Sequence, residues 1–224
     1  MCFSPEVDAS AGIIVTGIGI DALRHVRSKE HVALAALPLL FGVHQLVETF
    51  VWLGLQDRVS PTLANAATWT YLLIALVIVP ALVPFAFVRL GGGRWPVLSK
   101  FFLAAGVVAA AVDASALGFR NVPRVLDAHQ ITYHLSVPFG EVSFLLYVVA
   151  ACGPGLTSRA MPLQLLGVLN LGVVGTLAWL NRDGVISLWC VWAAATSVLI
   201  NLYVRDALPA GWTSGREPEP TGKG

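Results

Sequence analysis

Hydrophobic positions along this chain fall in long runs, and the polar ones are mostly confined to short gaps between them. Seven apolar segments result: Ala9–Val26, Val32–Leu55, Leu63–Val88, Phe101–Gly118, Val137–Ala151, Pro162–Leu180 and Val185–Val204. Runs of about 20 residues match the hydrocarbon thickness of a bilayer. Lipid offers backbone amides no partner, so each run is predicted to be a helix. The first and fifth are the weakest, being short or interrupted by Asp21 and Glu141. Pro80 and Pro84 are expected to kink the third. From Ala207 the chain turns rich in Pro, Gly, Glu and Ser, which predicts a disordered tail over 207–224. The expected fold is all-α: a seven-helix transmembrane bundle over residues 1–206.

Composition strengthens this reading. Of 224 residues, 56% are hydrophobic and 12% charged, with a mean hydropathy of +0.75. Soluble domains carry roughly 25% charged residues. The bilayer is the expected partner, and the net charge of +1 gives no ground for nucleic acid. Cys2, Cys152 and Cys190 have no CxxC or zinc-finger spacing, so no disulfide framework is expected. The N-terminus lacks the basic region of a cleavable signal peptide. Loop charges then set an orientation. One side holds Arg24, Arg27, Lys29, Arg89, Arg94, Lys100, Arg159, Arg205, Arg216 and Lys223. The other holds Arg58, Arg120, Arg124 and Arg182. The asymmetry predicts a multi-pass protein of the cell membrane, N-terminus outside and C-terminus cytoplasmic.

On that map the polar residues gather in the outer half. His44, Gln45 and Glu48 lie inside the second segment, with His44 and Glu48 one turn apart on one face. Ionisable groups inside a membrane are expensive and mark function by default. This pair reads as a general acid and its partner, as two metal ligands, or as an interhelical hydrogen bond that holds the bundle together. Asp113 is set among small residues near the outer end of the fourth segment. It reads as a second acid or as a helix–helix contact. Asp8 precedes the first segment on the same side. The loop Phe119–Ser136 carries Asp127, His129, Tyr133 and His134. Glu141 opens the fifth segment, as a site residue or as an acid favoured by the helix dipole. Trp52, Trp69, Tyr71, Trp179, Trp189 and Trp192 lie near segment ends, where they form an interfacial belt or line a pocket. No adjacent acid pair, HExxH, GxSxG or Walker A motif is present, so no metal site or cofactor is expected.

The stretch Met1-Cys2-Phe3-Ser4, the run Leu37-Pro38-Leu39-Leu40-Phe41-Gly42-Val43-His44-Gln45-Leu46-Val47-Glu48, Trp52 and Ser187-Leu188-Trp189-Cys190 resemble a bacterial membrane family of unknown function. The opening Met-Cys-Phe-Ser-Pro-Glu-Val-Asp with His-Gln-x-x-Glu also resembles actinobacterial membrane terpene cyclases of the drimentine type. That resemblance implies proton-initiated cyclisation of a farnesyl-type chain on a lipophilic prenylated substrate. It casts Glu48, and Asp8 or Asp113, as acids, without metal. A carboxylic acid kept protonated near neutral pH is a usable donor. His44 becomes its hydrogen-bond partner, and Gln45, Trp52, His129, Tyr133, His134, Glu141 and Trp189 are candidates for substrate contact. Two other classes stay open. One is a ceramidase-like metal-dependent lipid hydrolase using His44, His129 and His134. The other is a proton-coupled transporter or sensor with Glu48 as relay.

Overall fold

Ser4 accepts the backbone N–H of Val7, and Pro5 fills the first turn, so the chain becomes helical ahead of Ala9. Helix α1 spans Pro5–Arg24. The structure is a computed structural model describing residues 4–91, 93–118, 124–127, 130–133, 137–180 and 185–208. The side chains of 125–127, 130, 132, 177–180 and 185–191 are excluded. Among the described residues there are seven helices and one two-stranded hairpin. After α1 come α2 (Val32–Leu55), α3 (Pro61–Arg89) and α4 (Pro96–Leu117). The strands β1 (Arg124–Asp127) and β2 (Gln130–Tyr133) follow, then α5 (Gly140–Leu156), α6 (Met161–Leu180) and α7 (Val185–Val204). By length and composition α2, α3 and α4 can each cross a membrane.

Two expected boundaries, Val32–Leu55 and Val185–Val204, coincide with helices. Others move. Proline at the first turn starts α3 at Pro61 and α4 at Pro96, earlier than hydrophobicity alone indicates. Helix α5 is Gly140–Leu156 rather than Val137–Ala151. The described residues are helical as expected, and the loop Phe119–Ser136 adds one short antiparallel hairpin to them. Arg124 pairs with Tyr133 and Asp127 with Gln130. Residues two apart on a strand share a face. Ile131 and Tyr133 both pack on a helical cluster of Val51, Trp52, Ala67, Tyr71, Leu72 and Leu117. The tail expected from Ala207 lies almost wholly outside the described residues, and Leu208 packs against the other main cluster.

Pro80 and Pro84 do not break α3. Its middle, Ile74–Ile78, widens into a π-helix in which the Val79 N–H bonds to the Ile74 carbonyl. The next carbonyl, of Ala75, faces residue 80, and proline has no N–H to offer. The Tyr147 hydroxyl on α5 donates to it at 3.0 Å. Pro84 likewise denies the Pro80 carbonyl its α-helical donor. Gly106 of α4 packs so tightly there that a Cβ would lie 1.9 Å from the Pro80 oxygen. The prolines thus fix where α4 and α5 dock.

Helices α1 and α2 run antiparallel through small residues. A Cβ on Gly12 would meet Leu46, one on Gly42 would meet Thr16, and one on Gly19 would lie 2.3 Å from the Leu39 amide nitrogen. Small residues let helix backbones approach closely where no water drives association. The last turns of α1 and α7 are joined by polar groups. Asn201 Nδ2 donates to the Ile18 carbonyl at 3.1 Å and to Asp21 Oδ2 at 2.9 Å. Arg205 Nη1 donates to the same carboxylate at 2.8 Å. The ion pair is exposed, so solvent screens it and it contributes little to stability. It marks one end of the bundle, rich in arginine; the hairpin marks the other.

Gly106→Ala is expected to lower unfolding stability by about 1–3 kcal/mol through overpacking. Gly172→Ala, where a Cβ meets nothing within 4 Å, is its control. Thermal unfolding in detergent measures both. Equal effects would contradict the packing at Pro80.

Candidate functional site

His44, Glu48 and Trp52 occupy successive i, i+4 positions of α2, and all three are buried. The spacing puts them on one face, in steps of about 6 Å along the axis. Glu48 is 0% exposed inside a 24-residue apolar helix. His44 Nε2 lies 3.2 Å from the Tyr71 carbonyl on α3. A carbonyl only accepts, so Nε2 carries the proton and donates. In neutral His44 the lone pair is therefore on Nδ1.

The imidazole also stacks on Tyr71, with ring centres 4.1 Å apart and planes 12° from parallel. Tyr71 stacks in turn on Tyr133 of β2 at 5.2 Å and 24°. Each contact adds about 0.5–1.5 kcal/mol beyond area burial. The stack runs from the helical interior to the hairpin. Two further bonds hold that end. Trp69 Nε1 donates to the Gly118 carbonyl at 2.7 Å, and Arg124 Nη1 donates to Asn65 Oδ1 at 2.9 Å. The site therefore has a buried carboxyl, a tautomerically fixed imidazole and aromatic faces.

The other candidates fall in different places. Gln45 is buried beside His44 on the same helix. Asp8 is 2% exposed. It lies in the first turn of α1 rather than ahead of it, on the face that carries Gly12 and Gly19 towards α2. Asp113 is buried, and its Oδ1 accepts the Ser143 hydroxyl of α5 at 2.7 Å. That bond joins α4 to α5, the contact reading of Asp113. Glu141 is exposed in the first turn of α5, the dipole-favoured position. Tyr71 is not an interfacial residue: it is 0% exposed and mid-helix. Trp52 is buried as well. His129, His134 and the Trp189 side chain lie outside the described residues. Among the described residues no three His, Cys, Asp or Glu side chains converge as a metal site.

Sequence reasoning missed Ser143 and Tyr147. They stand i, i+4 on α5, the same polar spacing in an apolar run that drew attention to His44 and Glu48. Their hydroxyls carry no charge, which hid the signal.

The chain belongs to a family of unknown function, DUF6629, whose model matches residues 1–215. No curated protein and no solved structure matches it. The family match carries no support for the narrower likeness to drimentine-type cyclases.

His44→Phe keeps a ring for stacking and loses the donor to Tyr71; a cost of about 0.5–1.5 kcal/mol is expected. Tyr71→Leu removes both stacked contacts and is expected to cost more, about 1–3 kcal/mol. Denaturant titration of the full chain ranks the two, and unchanged stability in Tyr71→Leu would refute the stack as a structural element.

Proposed function

We propose that this chain is a multi-pass enzyme of the cell membrane that cyclises a prenyl chain by protonating it. In this reading all seven helices span the bilayer. The N-terminus is outside and the arginine-rich end of the bundle is cytoplasmic, as loop charge favours. The observation that carries the reading is Glu48: a fully buried carboxyl, on one helix face with Trp52 and with His44, whose ring stacks on Tyr71.

Chemistry follows from these groups. The Glu48 carboxyl gives its proton to the terminal double bond of a farnesyl-type chain. The alkene π pair forms the new C–H bond and leaves a tertiary cation. A second double bond attacks that cation and closes a ring. Aromatic faces stabilise such a cation by roughly 0.5–2 kcal/mol, and this reading gives that role to Trp52 and Tyr133. Loss of a proton from carbon ends the cascade and gives an isomer of unchanged mass. The Nδ1 lone pair of His44 takes that proton from carbon, and the resulting imidazolium passes it to the Glu48 carboxylate, which restores both groups. Asp113 and Asp8 stand as second-choice acids. The lipophilic substrate enters from the bilayer.

A second reading has a specific observation behind it. Asp113 with Ser143 is another buried carboxyl in a long apolar helix, and two such acids suit a proton path in a transporter.

Membranes containing the chain, supplied with prenylated indoles and farnesyl-bearing lipids, are expected to form an isomeric product detected by mass spectrometry. In D2O that product gains solvent deuterium at carbon. Glu48→Gln is expected to reduce its formation at least 100-fold, the low end of what a positioned acid contributes, about 10²–10⁴-fold. Cyclisation that persists in Glu48→Gln rules out this acid. Proton-coupled flux in proteoliposomes that Glu48→Gln abolishes, with no isomeric product, selects the transporter.

Orientation has its own check. A C-terminal green fluorescent protein fusion is expected to fluoresce, and a C-terminal alkaline phosphatase fusion to be inactive. The opposite pattern reverses the topology.

A further inference from the structure

The tryptophans with described side chains treat their indole N–H groups differently. Trp69 donates to the Gly118 carbonyl, and Trp192 to Asn170 Oδ1. Trp95 is exposed to its surroundings. Trp52 is 3% exposed, and its Nε1 is buried with no hydrogen-bond partner among the described residues. Buried indoles usually find an acceptor, and an orphaned donor bears the full desolvation of that group. Such exceptions in a folded protein call for a specific cause.

The surroundings narrow the cause. The cluster that holds Trp52 is built from Val51, Ala67, Leu72, Leu117 and Ile131 together with Tyr71. A buried water needs two to four polar partners. Among the hydrophobic residues of that cluster, which include the rings of Tyr71, Tyr133 and Trp69, a water finds few partners. A molecule that brings its own apolar body and one acceptor oxygen fits better. Position narrows it further. Trp52 lies one turn, about 6 Å, from Glu48 toward the hairpin end of α2. His44 lies one turn beyond Glu48 in the opposite direction.

From these observations we infer that Trp52 is the docking donor for the head of the site's ligand. That ligand is an apolar, prenyl-type chain whose outer end carries a neutral oxygen acceptor: an ether, carbonyl or hydroxyl. The head bonds to Nε1–H near the hairpin, and the chain runs inward past Glu48 toward His44. The inference rests on the cyclase reading for the nature of the chain. It adds an orientation and a headgroup requirement. The double bond that receives the proton lies inward of the head, and a pure hydrocarbon lacks the contact that sets the register.

The test uses the full chain in lipid nanodiscs with ¹⁵N-labelled indoles. Farnesyl methyl ether, an acceptor without a donor, is compared with farnesene, which has neither. The Trp52 N–H resonance is identified by its loss in Trp52→Phe, and by elimination with Trp69→Phe and Trp192→Phe should the first variant fail to fold. The ether is expected to move that proton resonance downfield and farnesene to leave it in place. Wild type should prefer the ether by roughly 2- to 10-fold, the range one net hydrogen bond supports, with the preference lost in Trp52→Phe. An unmoved resonance, equal shifts from both probes, or a preference retained in folded Trp52→Phe would overturn the inference. No turnover is needed, so a chain that shows the ether shift and cyclises nothing removes the cyclase and leaves the docking donor standing.

Discussion

Within an apolar bundle, a backbone carbonyl that loses its helical donor must find another or bear the cost of going without. Helix α3 loses two such donors, to Pro80 and Pro84, and neighbouring helices dock where those carbonyls are freed. The turn widens over Ile74–Ile78 and the Tyr147 hydroxyl reaches the Ala75 carbonyl. Gly106 brings α4 against the Pro80 carbonyl. At the head of the same widened stretch, the Tyr71 carbonyl takes the Nε2 proton of His44. Helix α3 is thus coupled to α5, α4 and α2 through its own backbone oxygens. π-turns of this kind are rare and frequent at functional sites.

This coupling defines the site as well as the fold. Holding Nε2 fixes the imidazole on Tyr71 and leaves the other nitrogen as its lone-pair position. The ring's stacking then aligns Tyr71 and, through it, Tyr133 of the hairpin. Glu48 needs no loop to position it, because the helix that carries His44 places it one turn away. A carboxyl, an imidazole and three aromatic side chains are set by two helices and one strand, with little freedom left to any. Such rigidity is what the proposed cyclisation asks for, because a misplaced group beside a reactive cation costs selectivity.

Much of this was legible in the residues, and the parts that were not have definite causes. Long apolar runs announced the helices, since nothing else satisfies backbone groups in lipid. His44, Glu48 and Asp113 stood out because charge is conspicuous there. The hairpin was hidden: its paired strands are four residues each and sit in a polar loop. For Tyr71 the residues leave an interfacial belt and a pocket lining both open, because burial between helices depends on neighbours that the local pattern does not name. Ser143 and Tyr147 act through neutral hydroxyls and left no charge to notice. Proline was read as a kink, whereas Gly106 and Tyr147, on two other helices, turn it into a docking point. Pairings of that kind depend on neighbours distant in sequence.

The central claim is that the Tyr71 carbonyl holds His44 and fixes its tautomer. Solid-state ¹⁵N spectroscopy of histidine-labelled protein in bilayers, with His44 assigned by its loss in His44→Phe, measures this directly. The account predicts a neutral ring protonated at Nε2 with an unprotonated Nδ1. A neutral ring protonated at Nδ1 would contradict it, because a bare Nε2 cannot bond to a carbonyl oxygen.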